Sequence, residues 1–301
     1  MFKAKGIKLR PYILAVLSNL FFALGSMFFT HYARRFSSTW INAYKAVVAT
    51  LCFSLAVLVT TGFHSLSLFN FSIFFVSGFV ALGIGDIFLV KAFSRLGPAR
   101  SLMIFSFHPL IVGIISFVGF GQSINTTKFL SILFFLSCLF IFSLERYKSA
   151  GHWEIKGLVF AIVGMSLDAI GVPITRYAFD LNPSISVFEG NLYRCIGAIV
   201  LFVILSRFKD IRFLTGLKEL SKKSHLYVFL GAIFGTFIAL ALYLEAIKSA
   251  HLATVSAISV TGVIFASLLE SIWERKRPSV YLLISFIFFG AGMYLLLGNN
   301  S

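Results

Sequence analysis

Asn191-Leu192-Tyr193-Arg194-Cys195-Ile196-Gly197-Ala198 is echoed by Asn42-Ala43-Tyr44-Lys45-Ala46-Val47-Val48-Ala49. Each copy sets an amide, a phenol and a cation at the head of a run of about twenty mostly apolar residues. A cation inside such a run is expensive in hydrocarbon and marks a task. A costly feature that occurs twice points to a duplicated fold with a site between its halves.

The composition places that fold in a membrane. The 301 residues are 58% hydrophobic and only 12% charged, with a mean hydropathy of +0.94, whereas soluble domains are about a quarter charged. The chain therefore reads as an integral membrane protein in which every task falls to the helix bundle. Its 37 phenylalanines suit lipid-facing helix surfaces. The net charge of +15 comes from Lys and Arg in short connections rather than on a folded basic face, so it reads as a topology signal and implies no nucleic-acid partner. Cys52, Cys138 and Cys195 lie inside apolar runs without metal-ligand spacing, so they read as packing residues, with no metal and no cofactor expected. Lys3, Lys5, Lys8 and Arg10 resemble the basic start of a signal peptide. The apolar run behind them continues to Tyr32 without a small-residue cleavage site, which favours a retained first helix.

Ten runs are long enough to cross the hydrocarbon: 12–32, 40–61, 71–93, 101–120, 127–144, 155–179, 185–206, 226–247, 252–273 and 280–297. Three echoes tie the first five to the last five. Thr30-His31-Tyr32-Ala33 matches Thr175-Arg176-Tyr177-Ala178, the opening motif repeats from Asn42 to Asn191, and Leu89-Val90-Lys91-Ala92 faces Tyr243-Leu244-Glu245-Ala246. Their offsets of 145, 149 and 154 residues grow slowly, as small loop insertions would make them. Five spans is an odd number, so the second half enters the membrane from the opposite side and the halves are inverted repeats. The basic connections after the first, third, seventh and ninth runs then share one side with Arg146, Lys148 and Lys156. The positive-inside rule places that side in the cytoplasm and both termini outside, while the basic N-terminal tail argues for the reverse.

Ala92-Phe93-Ser94-Arg95-Leu96-Gly97-Pro98-Ala99, Phe107-His108-Pro109-Leu110 and Ser267-Leu268-Leu269-Glu270-Ser271-Ile272-Trp273-Glu274-Arg275, followed by a last run containing Gly290, resemble the drug/metabolite transporter superfamily, specifically its ten-helix members of the EamA type. The resemblance covers essentially the whole chain. It implies an all-α integral membrane protein of ten transmembrane helices, with residues 1–150 and 151–301 as two inverted five-helix EamA-like repeats. It further implies a multi-pass protein of the cell membrane, the inner membrane in a bacterium, that moves small polar or amphipathic metabolites such as amino acids. The family's glutamate at the end of the fourth and ninth helices reads as Gln122 and Glu274 here, and Gly262-Val263 stands where the ninth helix carries a proline. Neither position is therefore read as essential.

The matched cations Lys45 and Arg194 are candidates for holding an anionic group of a substrate, with Asn42, Tyr44, Asn191 and Tyr193 as hydrogen-bonding neighbours. The competing reading is snorkelling to the headgroups, with the tyrosines in an aromatic belt. Asp168, flanked by Gly164, Ser166, Gly171 and Pro173, is a mid-membrane carboxylate suited to carrying a coupling proton or to a structural ion pair. Asp86 is the other deep carboxylate. Lys91 and Glu245 occupy equivalent positions with opposite charge and are candidates for a gating or static contact. His108 is a candidate relay or a packed, hydrogen-bonded histidine. Trp40 and Trp153 read as interface markers, and Ser18 and Asn19 as polar contacts of the first helix.

No phosphate-cradling glycine loop, metal cluster or Ser/His/Asp arrangement is present. The expectation is thus a secondary transporter, exporter or exchanger, working by alternating access on a small-molecule substrate, with protons as one option for coupling. The fifth and tenth runs would support the cavity or pair subunits into a homodimer. Two rivals stand beside it: a membrane-embedded enzyme on lipid-linked substrates, which needs acids or histidines clustered at one face, and a membrane scaffold, which has little use for a doubled polar motif.

Overall fold

The computed structural model describes residues 10–33, 36–105, 107–108, 111, 154–208, 211–249, 255–256, 258–275 and 279–298, with isolated positions between 126 and 148. Among them, six helices are long and apolar enough to cross a membrane: α1 (Arg10–Ala33), α2 (Ser38–Thr60), α3 (Leu68–Leu96), α5 (Ile155–Leu181), α6 (Val187–Phe208) and α8 (Lys222–Ser249). These fall on the first, second, third, sixth, seventh and eighth apolar runs. Between them lie α4 (Pro98–Phe105) and the short α7 (Phe213–Glu219), and α9 (Val260–Glu274) and α10 (Val280–Gly298) follow. α4 opens the fourth run, most of whose remainder, with most of the fifth, lies outside the described residues, as do Pro109, Gln122, Cys138 and Trp153. The side chain of Glu274 lies outside them as well.

Serines fix where several of these helices begin. Ser37, Ser67, Ser186, Ser221 and Ser279 each accept a hydrogen bond from the backbone N–H three residues on, the N-cap geometry that satisfies an orphan donor. At Ser186 the cap is reciprocal. Glu189 returns its carboxylate to the Ser186 N–H at 2.9 Å, completing a capping box. α3 stops at Gly97, whose φ of 85° favours a residue without Cβ. Pro98 then starts α4, where its missing N–H costs nothing.

Two helices widen in mid-course. α3 is a π-helix over Gly78–Gly85 and α8 over Ile233–Ile238, and such turns leave carbonyls outside the regular ladder. Those carbonyls need donors in a bilayer. At Gly78 the backbone of α3 lies against the carbonyl of Arg194 in α6, so a Cβ there would overlap it.

The bundle is apolar on its outside as well as its inside. α2 buries Ala49, Phe53 and Val57 while exposing Leu51, Leu55 and Leu58, the pattern of a helix with protein on one side and lipid on the other. α1 packs against α8 and α9, α2 and α3 against α6, and α5 against α3. Trp40 is packed inside the bundle rather than set on its surface. It is 2% exposed, stacked on Phe36 and Tyr44, and its indole N–H donates to the Phe213 carbonyl at 3.1 Å because α7 covers it.

Candidate functional site

The helices converge on a cavity of about 110 Å³ lined from α1, α3, α4, α5, α6, α8 and α9. That volume holds a molecule of roughly ten heavy atoms. Its charged walls are Asp86 of α3, Asp168 of α5 and Arg194 of α6, with His108 beyond α4.

The two cations of the doubled motif meet different fates. Lys45, 3% exposed, places its ammonium 2.6 Å from Asp86 Oδ2 and 5.1 Å from the centre of the Phe29 ring. Asp86 is thereby neutralised from the neighbouring helix. Arg194, 1% exposed, has no hydrogen-bond partner for Nε or Nη1 among the described residues, and none of the described ion pairs includes it. Its chief electrostatic attraction is to Asp168. A buried guanidinium with open donors costs several kcal/mol unless a partner arrives.

Asp168 keeps 32% of its side chain exposed, and its Oδ2 lies 3.7 Å from His108 Nε2, a separation too long for a hydrogen bond. His108 Nε2 has no other partner among the described residues. Asp86, Asp168, Arg194 and His108 are therefore brought together, with Lys45 behind Asp86.

The remaining members of the doubled motif are not in the cavity wall. Asn42 donates to the Leu82 and Gly83 carbonyls at 3.0 and 3.1 Å, and Asn191 donates to the Leu240 carbonyl at 3.1 Å. Each amide serves backbone at or just after a π-helical segment, a structural task that the sequence pattern disguised as a binding one. Tyr44 stacks on Trp40 at 5.5 Å between centroids, and Tyr193 sets its ring edge against Phe71 at 5.4 Å.

Lys91 and Glu245 are not brought together either. Lys91 Nζ lies over the rings of Phe88 and Phe160 at 5.2 and 5.3 Å, about five residues before the end of α3 at Leu96. Glu245 sits near the end of α8, where Lys248 donates to the Ile185 carbonyl just before α6. Glu189 in the first turn of α6 holds His64 of the loop before α3, accepting its N–H at 2.7 Å and facing its Nδ1 at 2.7 Å. Glu245 thus belongs to the end of the bundle where α3 starts, on the order of 30 Å from Lys91 along the helix axis. Positions that the repeat matches in sequence are thus not neighbours in space here.

Sequence reasoning missed the Glu189 clamp, although Ser186-x-x-Glu189 is a capping-box signature. It also missed Thr236, Tyr243, Ser256 and Ser259 in the cavity wall, because isolated hydroxyls in apolar runs give no periodic signal. Glu270, inside the motif that carried the resemblance, accepts the Ala99 N–H at 3.2 Å and so holds the start of α4. Asn19 is spoken for by the Ile258 carbonyl and Thr261 Oγ1 at 2.9 and 3.1 Å, and Ser18 by the Ala239 carbonyl at 2.8 Å.

The sequence profile of the EamA-like transporter family matches the chain twice, over residues 9–144 and 155–298. A solved structure titled "Crystal structure of protein" superposes with a TM-score of 0.65 over 96% of both chains at 14% sequence identity, a likeness of fold. No curated protein sequence matches the chain.

Proposed function

Because the chain belongs to the EamA-like transporter family, within the drug/metabolite transporter superfamily, we propose that this multi-pass membrane protein is a secondary transporter whose substrate is a small metabolite held through an anionic group by Arg194. The observation that carries this is the open, buried guanidinium of Arg194 in the wall of the central cavity. A permanent internal partner would make Arg194 a structural residue. An open one makes it a receptor for a charge that comes and goes, as a carrier requires.

Alternating access between two inverted five-helix repeats, 1–150 and 151–301, is the mechanism of this reading. Its support is the recurrence of local devices at matching places. Ser37 and Ser186 cap α2 and α6, Asn42 and Asn191 bind backbone of α3 and α8, and both of the latter carry a π-helical segment. Asp168, facing His108 without a hydrogen bond, is the place where a coupling proton would ride. Transport indifferent to an imposed pH gradient would remove protons from the scheme. The exposed Leu283, Ile287 and Tyr294 of α10 offer a face for lipid or for a second copy, and a protomer mass by light scattering in detergent argues against the dimer.

Thermal unfolding of the purified protein with small organic anions tests the central claim. Stabilisation by an anion-bearing metabolite in the wild type, lost in Arg194→Ala while the variant stays folded, is the expected result. Equal stabilisation of both proteins takes Arg194 out of the site.

A further inference from the structure

Most of the open hydrogen-bonding capacity of the cavity lies on its second-half side. Polar groups reaching it from the first half are engaged, Ser18 and Asn19 by backbone and Thr261, and Asp86 by Lys45, with His108 Nε2 the exception. On the other side, Thr236 Oγ1 of α8, and Ser256 Oγ and Ser259 Oγ before α9, are buried without hydrogen-bond partners among the described residues, as are Arg194 Nε and Nη1. All four residues line the cavity. Thr236, Ser256 and Arg194 are each at least 95% buried. A hydroxyl left unsatisfied in an apolar bundle is costly. Three of them beside an open guanidinium, with only the Tyr243 hydroxyl facing Ser256, form a polar surface that the other described residues leave unsatisfied.

We infer that the substrate is an oxygen-rich monoanion, a small acid carrying hydroxyl groups besides its carboxylate, whose charge meets Arg194 and whose hydroxyls meet Thr236, Ser256 and Ser259. The inference rests on the anion-binding reading of Arg194 and specifies its ligand. One open cation sets one negative charge. The carboxylates of Asp86, already paired, and Asp168 in the same wall disfavour a second. The serine and threonine hydroxyls both donate and accept, so they match alcohols better than they match an alkyl chain. Asp168 and the open Nε2 of His108, in the same cavity wall, give a ligand hydroxyl an acceptor as well. The volume limits the acid to a few carbons.

Propionate, lactate and glycerate carry zero, one and two hydroxyls on one three-carbon acid frame, and their dissociation constants for the purified full chain read the inference directly. Affinity is expected to rise in that order, by about fivefold per hydroxyl. Thr236→Val combined with Ser259→Ala, which leaves Arg194 in place, is expected to flatten the series while propionate binding stays within about twofold. Propionate binding as tightly as glycerate, with both lost in Arg194→Ala, overturns the oxygen-rich class and leaves the anion reading standing. Three acids that bind neither the wild type nor Arg194→Ala overturn both. A misfolded double variant leaves the wild-type series to decide alone.

Discussion

Lys45 and Arg194 stand at the same distance from their capping serines and from their asparagines, yet one is neutralised and the other is open. The difference lies on the neighbouring helix. α3 presents Asp86 to Lys45, whereas the residue of α8 that corresponds to Asp86 by the 154-residue offset of the third echo is Leu240, which lines the cavity. The motif supplies two cations, and the partner helix decides which of them is paired among the described residues. A paired ion inside a membrane bundle holds its helices together, and an unpaired one carries an unrelieved desolvation penalty.

The largest effect expected from this contrast is on folding. Lys45→Met strands the Asp86 carboxylate, and breaking a buried pair from one side costs about 3 kcal/mol. Adding Asp86→Asn to Lys45→Met is expected to recover more than half of that loss in thermal or denaturant unfolding. Strictly additive losses would mean that the two groups do not support each other, and the contrast with Arg194 would collapse. Giving the second half what the first half has comes next. Leu240→Asp offers Arg194 an internal carboxylate, so the variant is expected to gain about 1–2 kcal/mol in stability, the worth of a hydrogen bond to a charged group, and to stop responding to small anions. An unchanged anion response in a stable Leu240→Asp protein would show that the substrate's charge does not occupy the place of the missing carboxylate.

Much of this is legible in the amino-acid sequence. Six long helices fall within a few residues of their apolar runs, since hydrophobic length alone sets a membrane span. Arg194 and Asp168 stood out because a charge in such a run is conspicuous. What stayed hidden was the choice of partner. Asn42 and Asn191 looked like ligand groups, because a sequence does not announce a π-helical segment on the next helix or the carbonyls that it frees. Tyr44 and Tyr193 looked polar, but their rings pack and their positions follow from that. The hydroxyls of Thr236, Ser256 and Ser259 are indistinguishable in sequence from any serine or threonine in an apolar run, and only the fold of α8 and of the residues before α9 brings them to one space.

The caps of α2 and α6 repeat the contrast on a smaller scale. Ser37 acts alone, with Trp40 at the third helical position, while Ser186 is answered by Glu189, which also holds the loop at His64. Glu189→Gln keeps the shape and removes the charge from three hydrogen-bonded contacts, and a loss of about 1–2 kcal/mol is expected in unfolding. Faster amide exchange at His64 and its neighbours should accompany it. Unchanged exchange in that loop would show that Glu189 serves only its own helix.

The smallest effect concerns Lys91 and Glu245, a pair that the repeat matches in sequence and the bundle separates in space. Groups that share no partner and lie more than about 10 Å apart contribute to stability independently, within about 0.5 kcal/mol. Lys91 rests on the rings of Phe88 and Phe160 near the end of α3, and Glu245 lies a turn before Lys248, whose ammonium is tied to the Ile185 carbonyl. A double-mutant cycle through Lys91→Met and Glu245→Gln is therefore expected to close with a coupling below about 0.5 kcal/mol, and exchanging the two charges should rescue nothing that either single exchange loses. Coupling well above that value in stability would contradict the separation. Coupling confined to transport rate, with stability additive, would instead mean that the two ends of the bundle communicate during the cycle, and that the halves differ in their charges while moving as one.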